Sequence, residues 1–549
     1  MKPRKTDPEK TYDNEQELPL QLRERKCIMA KQYLMAIDAG TGSVRAVLFD
    51  TDGNQISCVQ REWEHHEDPR FPGSMDFDWV HNWELACECT KGVLSETGIA
   101  PEQIAAVSTT CMREGIVLYD KDGNEIWACA NVDARSTDEV GKLISMNPEL
   151  EKEIYLQSGE TYALGALPRL LWVKDKMPEV YEKIAAVGMF NDWLILKLTG
   201  VEAVEPSNGS TTGIFDLRSR SWDASIAKRC GLRDDIFPPV IESGEVIAKI
   251  NAKGAADTGL AEGTPVVVGG GDCQLGTIGV GSTLPNQAAV FGGSFWQYEF
   301  NTDSGATDPL CRVRVNCHAV PGLWQYEALA FKPGLVMRWF RDGFCQLEKE
   351  ISKKTGEDVY DLMNREAEKI PAGCYGMMCA FSDVMNFISW KHASPTFTNF
   401  ELDPEKFNRY TFYRAILENT ALLVKGHMDL VREATGNMPQ EVIFAGGASK
   451  SPLWSQILAD VLGMPVKVPV VKEATALGAA IIAGYGVGIY KSIEEGAART
   501  VRFDRTFEPD MKNHAVYEEM YPVWRKVYAA QLELVNEGLT KPMWIAPGL

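Results

Sequence analysis

Seven histidines in 549 residues, and no Cys-x-x-Cys pair anywhere, leave the chain poor material for a structural zinc site. Cysteines number 13, an odd count, and the closest two, Cys87 and Cys89, fall on a predicted helix. Their scatter, with no secretory signal ahead of them, predicts a reducing cytoplasm. Residues 1–31 are polar and of mixed charge, without the apolar core that a signal peptide needs, and they predict a poorly ordered arm. No apolar run suits a membrane span: the longest, Ala474 to Tyr490, is short and broken by glycines, and predicts a buried helix. Basic charge is also scarce. Lys and Arg total 56 against 76 Asp and Glu, a net charge of −20 with no basic stripe, which argues against nucleic acid as the main partner. A nucleotide is not excluded. Physiological salt screens distant carboxylates beyond about 8 Å, so a local nest of amides with magnesium can dominate.

What is present is ordinary for a soluble globular protein, 45% hydrophobic and 24% charged residues, in a chain too long for one domain. The most informative stretch is Tyr33 to Asn54. An apolar run, Tyr33 to Ile37, ends at Asp38, and the small-residue loop Ala39-Gly40-Thr41-Gly42-Ser43 follows. A second apolar run, Val44 to Phe49, leads to the hairpin signal Asp52-Gly53. The stretch reads as strand, loop, strand. A dinucleotide fingerprint would need its glycines to open a helix, and a Walker loop would end in Lys; neither condition is met. Gly40 and Gly42 would let backbone N–H groups approach an anion, Thr41 and Ser43 would add hydroxyl donors, and Asp38 could reach a magnesium ion through water. Taken alone, the stretch fits a plain tight turn equally well.

Further along, Asp78 to Gly98 predicts a helix capped by Asp78 and ended by Gly98. Ile104 to Thr110 predicts a strand that delivers Cys111, Met112, Arg113 and Glu114 at its C-terminal end, where open α/β sheets place ligands. Pro265 to Gly271 predicts a buried strand running into Asp272, Cys273 and Gln274. Gln287 to Phe300 repeats the opening theme around Gly292-Gly293-Ser294. Two related domains are therefore expected, meeting near Gly276 to Asn286: an arm over 1–32, a first domain over 33–280 and a second over 281–549. In the second, the strand Val442 to Phe444 ends in Ala445-Gly446-Gly447-Ala448-Ser449-Lys450-Ser451. Ser451 is placed to cap a helix that Pro452 opens and Gly463 ends. The glycines before it leave room for a flat base or ribose against backbone.

Four motifs in this order, DAGTGS at 38–43, MREG at 112–115, GGGD at 269–272 and AGGASKS at 445–451, resemble the FGGY carbohydrate kinases. The likeness runs from about residue 33 to the end. It implies an α/β fold of two actin-like (ribonuclease H-like) domains with the active site in the cleft between them. It also implies an ATP- and Mg2+-dependent kinase acting on a small-molecule polyol or diketone. Within the family, Asn131 to Arg135, MRWFRD at 337–342, FAGGASKSPLWSQILADV at 444–461 and the closing APGL are most similar to members that phosphorylate the terminal hydroxyl of 4,5-dihydroxy-2,3-pentanedione.

By this resemblance Asp272 is the catalytic base. The role suits phosphoryl transfer, which asks mainly for positioning, charge neutralisation and removal of one hydroxyl proton. Mg2+ would be shared through water by Asp38 and Asp272. Arg113 and Glu114 match the family's pair that reads adjacent hydroxyls, one a donor fork and the other an acceptor. Asp133 and Gln274 are carried over as further acceptor contacts, while Trp296 reads either as an apolar wall of that pocket or as a core residue. Gly40, Thr41, Gly42 and Ser43 match the first phosphate loop, and Gly292, Gly293 and Ser294 the second. There the family's usual Gly-Thr is altered, with Gly293 at the Thr position. Gly446, Gly447 and Ser451 match the adenosine motif, and Gly334 a glycine near the base. A phosphocarrier protein of sugar uptake is implied as a regulator. Two rivals stay open: a pentulose kinase of the same family, and a nucleotide-gated binding protein on the actin fold, against which Arg113, Glu114 and Asp272 argue.

Overall fold

The computed structural model describes residues 32–387 and 390–546. The expected arm over 1–31, and Pro547-Gly548-Leu549 of the closing tract, lie outside them. Two mixed sheets organise the chain, one from each half. The first contains β1 (Tyr33–Ala39), β2 (Ser43–Asp50), β3 (Gln55–Glu62), β4 (Ile104–Cys111), β5 (Val246–Lys249) and β6 (Pro265–Gly271), in the order β5-β6-β4-β1-β2-β3. The second contains β7 (Ala288–Gly292), β8 (Trp296–Thr302), β9 (Arg314–Cys317), β10 (Trp324–Ala330), β11 (Val442–Ala445), β12 (Val466–Pro469) and β13 (Phe503–Phe507), in the order β9-β10-β8-β7-β11-β12-β13. In each, a leading strand pairs antiparallel with the next across a glycine loop and parallel with a later one: β1 with β2 and β4, β7 with β8 and β11. The repeated strand–glycine–strand theme thus marks two sheets of one topology, a two-domain α/β fold.

Local chemistry explains the elements. β4 is buried along its whole length, as expected of a parallel strand covered on both faces. Helix α1 (Trp79–Thr97) begins where the Asp78 carboxylate accepts from the amides of Val80 and His81, and ends at Gly98 with φ +66. β8 and β10 alternate with period two. Tyr298, Phe300 and Tyr326 join the core of the second half, while Glu299, Asn301, Gln325 and Glu327 take the opposite face. That polar face looks toward the first half, where Gln325 Nε2 donates to Thr277 Oγ1 at 3.2 Å.

Helix α2 (Asp272–Gly279) follows β6 directly. Helix α5 (Ala474–Gly486), the buried helix that the Ala474 to Tyr490 run predicts, comes from the second half yet packs on the first sheet. Its Leu477, Ile481 and Ile482 share a core with Leu34, Val47 and Val267. α2 and α5 cross backbone to backbone: a Cβ on Gly279 would overlap the Ala474 carbonyl, and one on Gly478 the Leu275 carbonyl. The last strand of the first sheet ends at Gly271 and the first strand of the second begins at Ala288, and through α5 the core under the first sheet is shared by the two halves. Among the described residues no helix is long and apolar enough to cross a membrane, and each cysteine there is a free thiol.

Candidate active site

Strand register places the first cluster. Asp38 on β1 lies opposite Arg45 on β2, and Arg45 Nε is 3.2 Å from Asp38 Oδ2. Arg45 also binds Glu473, the residue before α5. Asp38 is 4% exposed. Burial pushes its pKa up to about 7, with Arg45 pulling the other way and the carboxylates of Asp272 and Glu473 adding to the rise. Arg45 and Glu473 escaped the sequence reading. The face of Arg45 follows from its two-residue spacing to Ser43, whereas Glu473 reaches the site only through the packing of α5.

Asp272 is the first residue of α2, with Gly271 in the capping position. Its Oδ1 accepts the Cys273 amide at 2.8 Å and lies 3.4 Å from Arg113 Nε. The side chain keeps 39% of its surface exposed. Desolvation raises its pKa to about 6, opposed by Arg113 and reinforced by Glu114. Such a carboxylate is ionised at neutral pH and still basic enough to take a proton.

The first glycine loop is fastened through its carbonyls. Those of Gly40 and Thr41 accept from the Trp63 indole at 3.1 and 3.0 Å, and that of Gly42 accepts the Trp63 amide at 3.2 Å. In a planar trans peptide the next amide points the opposite way. The N–H groups of Thr41 and Gly42 therefore face outward, and among the described residues neither has a backbone acceptor. A Cβ on Gly42 would meet nothing within 4 Å. The Thr41 hydroxyl accepts from the Asn131 amide at 3.0 Å.

The second loop and the last glycine motif enclose a cavity of about 600 Å3 lined by Gly292, Gly293, Ser294, Gly334, Gly447 and Ser451. Helix α3 (Pro333–Phe344) starts against this loop, so closely that a Cβ on Gly334 would overlap the Gly293 carbonyl. Gly446, at φ +89 and ψ −177, holds a backbone state open to glycine, and a Cβ there would sit 2.8 Å from the Gly292 carbonyl. Ser451 Oγ accepts the Trp454 amide at 3.2 Å and caps α4 (Pro452–Leu462). The same wall holds Arg338, Arg341, Tyr360 and Lys450, whose contribution the sequence reading missed. Arg341 lies over the Tyr360 ring at 5.1 Å.

The third cluster joins the two halves. Arg113, at the end of β4, is buried and bonds Glu327 on β10. Glu114 adopts φ +64, its carbonyl accepts from Arg169, and its carboxylate lies 2.6 Å from Arg314 on β9. Burial and the charge of Glu327 hold the Glu299 carboxyl well above the usual range. Glu160, Glu299, Arg314 and Glu327 belong to no motif. For Glu299, Arg314 and Glu327 the signal is a run of polar residues on alternate positions of buried strands, whereas Glu160 lies in the loop after the helix Leu150–Ser158 and carries no such signal. Gln274 is buried, and neither end of its amide has a protein partner among the described residues.

One open reading is decided and one expectation is corrected. Trp296 is no wall of an acceptor pocket. It is 1% exposed and packs between Phe444 and Trp454, ring centroids 4.9 and 4.6 Å away, because the first residue of β8 points to the apolar face. Asp133 is no acceptor contact either. Its carboxylate is fully enclosed and already accepts from the amides of Met75 at 2.6 Å and Arg135 at 3.1 Å and from Arg135 Nε at 2.8 Å, so it fixes a turn.

Asp272 and Glu473 add to the rise at Asp38, and Arg45 already pairs with both Asp38 and Glu473; a hard cation held through water by Asp38 and Asp272 would relieve the remaining repulsion, as suits Mg2+. Cys273, Glu299 and Glu327 also bring ligand atoms within 4.8 Å of one another, but Glu327 is committed to Arg113 and Arg314.

Residues 33–279 match the N-terminal domain of the FGGY family of carbohydrate kinases, and residues 306–487 its C-terminal domain. The chain is 50% identical over 521 residues to the autoinducer-2 kinase of Escherichia coli strain K12, covering 95% of this chain and 98% of that protein. It is 49% identical over 518 residues to the autoinducer-2 kinase of Yersinia enterocolitica, covering 94% and 98%. Among solved structures, xylulose kinase from Rhodospirillum rubrum superposes with a TM-score of 0.82 at 24% identity, over 92% of this chain and 100% of that one. Plasmodium falciparum glycerol kinase with ADP gives 0.79 at 18%, over 90% and 98%.

Proposed function

The chain belongs to the FGGY family of carbohydrate kinases, and from that premise we propose that it transfers the γ-phosphoryl group of ATP to the terminal hydroxyl of 4,5-dihydroxy-2,3-pentanedione. The product is phospho-autoinducer-2, a step in processing a quorum-sensing signal. The reaction class is carried by Asp272, a carboxylate open to the cleft, raised to about 6 and 3.4 Å from Arg113. The acceptor is supported by the near-full-length likeness to autoinducer-2 kinases.

The residues divide the work. Asp272 takes the proton of the hydroxyl as its oxygen bonds to the γ-phosphorus. The bond from that phosphorus to the bridging oxygen breaks, ADP leaves with the electron pair, and Asp272 returns the proton to water. Arg113 orients Asp272 and, with Glu114, reads the diol end of the acceptor. The outward amides of Thr41 and Gly42 and the loop Gly292 to Ser294 hold phosphates, and Gly334, Gly446, Gly447 and Ser451 border the space for adenosine. Asp38 and Asp272, with Glu473 beside them, would hold Mg2+ through water, where it would neutralise phosphate charge. The free thiols suit a cytoplasmic setting.

The test is an acceptor series. A site that hydrogen-bonds the extra hydroxyl of a pentulose rejects an analogue lacking it by about 10⁴–10⁵-fold, whereas an apolar pocket rejects an added hydroxyl by only about 10². The kcat/KM for the dihydroxypentanedione should exceed that for xylulose or ribulose by at least about tenfold. Equal or better turnover of a pentulose would leave the kinase standing and replace its acceptor.

A further inference from the structure

One guanidinium gathers the carboxylates of the acceptor side. Arg314 on β9 is 3% exposed. Its Nη1 lies 2.6 Å from Glu114 Oε1 and 3.4 Å from Glu327 Oε1, and its Nε donates to Glu160. Glu114 and Glu160 come from the first half of the chain, Arg314 and Glu327 from the second. The register supports the grouping, since Glu299, Glu327 and Arg314 are direct cross-strand neighbours on β8, β10 and β9.

The geometry around Glu114 shows what this achieves. The residue sits at φ +64, a state that a side chain rarely adopts, and Arg169 pins its carbonyl. Its carboxylate is 13% exposed, and among the described residues Arg314 is its ion-pair partner. Glu327, the other carboxylate on Nη1, holds Arg113, whose Nε faces Asp272. Behind Arg314, Glu160 is fully buried and fixed by Asn316 Nδ2 at 3.0 Å.

We infer that Arg314 is a positioning residue for the acceptor, a strut from the second sheet that aims Glu114 directly and Arg113 through Glu327. The acceptor pocket is then complete only when β9 and β10 dock on the first half. The inference rests on the proposed function for the identity of the acceptor. A planar guanidinium can bridge several carboxylates at fixed angles, whereas an ammonium offers one compact charge and cannot hold Glu114, Glu160 and Glu327 together. Because the network is buried, a loosened member is not replaced by bulk water, and the error passes to its neighbours.

Arg314→Lys and Glu160→Gln test this through steady-state kinetics on the intact protein, with ADP affinity from calorimetry. Glu160 lies behind Arg314 and out of reach of the acceptor, so its amide variant loosens only the anchor. KM for the acceptor should rise at least about tenfold in Arg314→Lys and at least about threefold in Glu160→Gln, with KM for ATP and ADP affinity within about twofold of wild type. A wild-type acceptor KM in folded variants of lowered Tm would make Arg314 a stability residue alone and overturn the inference. If Arg314→Lys fails to fold, Glu160→Gln decides by the same two outcomes. A wrong acceptor assignment looks different: the wild type itself would prefer a pentulose, and the KM shifts would be read on that sugar.

Discussion

Asp38→Asn should exchange activity for stability. In the ligand-free protein, burial first and then the carboxylates of Asp272 and Glu473 push Asp38 from 3.8 to about 7, against the pull of Arg45. Between those limits the folded protein keeps a proton that the unfolded chain has lost. Stability varies with pH as the protons bound unfolded minus those bound folded. That difference is negative here, so the contribution of Asp38 is complete below about pH 4, declines as pH rises, and is gone above about pH 7. At about 1.4 kcal/mol per pH unit the loss is at most about 4 kcal/mol. An amide is neutral at every pH but mimics a carboxylic acid imperfectly, so a gain of about 1–3 kcal/mol at pH 8 is expected. The gain should shrink steadily toward pH 4, while turnover falls at least about a hundredfold. Urea unfolding of both proteins at pH 5, 6, 7 and 8 without ligands, followed by tryptophan fluorescence, measures it. A variant less stable than wild type at pH 8, or a gain equal at pH 5 and pH 8, would refute ionisation of Asp38 as the source of strain.

Asp272→Asn should lower kcat by roughly 10²–10⁴-fold, the span for loss of a general base, with little change in folding; near-wild-type kcat rejects the assignment. Gly42→Ala separates binding from folding. The open space at that position predicts an unchanged Tm, while ATP affinity measured by calorimetry drops at least about tenfold because the added methyl stands where phosphate approaches. Unchanged affinity would reduce the loop to a turn. ATP and acceptor together should draw the two sheets closer around the cleft, and scattering from saturated protein should show a smaller radius of gyration than without ligands. No contraction would mean a cleft that does not close.

The glycine loops and Asp272 were legible because each needs one residue type at one place. Gly446 has a backbone state that rejects side chains, and Gly334 presses its backbone on Gly293. Arg314, Glu327 and Glu473 were not legible, because each acquires its role from pairing with residues far away in the chain. Glu473, for one, meets Arg45 across 428 positions. Trp296 was undecided for a different reason. Its face follows from the alternation along β8, where Trp296 shares a side with Tyr298 and Phe300 while Gln297, Glu299 and Asn301 take the other, a pattern that the glycine motif just before it drew attention away from. The role of Asp133 was hidden because it depends on the Met75 amide, 58 positions away, which together with Arg135 holds its carboxylate.

The packing of α5 on the first sheet sets an order of events during synthesis. The face carrying Leu34, Val47 and Val267 is complete once β6 has been made, but its cover, Leu477 to Ile482, is encoded about 200 residues later. At roughly 5–20 residues per second the ribosome takes roughly 10–40 s to supply it. Throughout that interval the nascent first half has Leu275 and Ile278 of α2 against this face but lacks the cover that α5 supplies. Release of a chain truncated before Ala474 would leave that cover permanently missing.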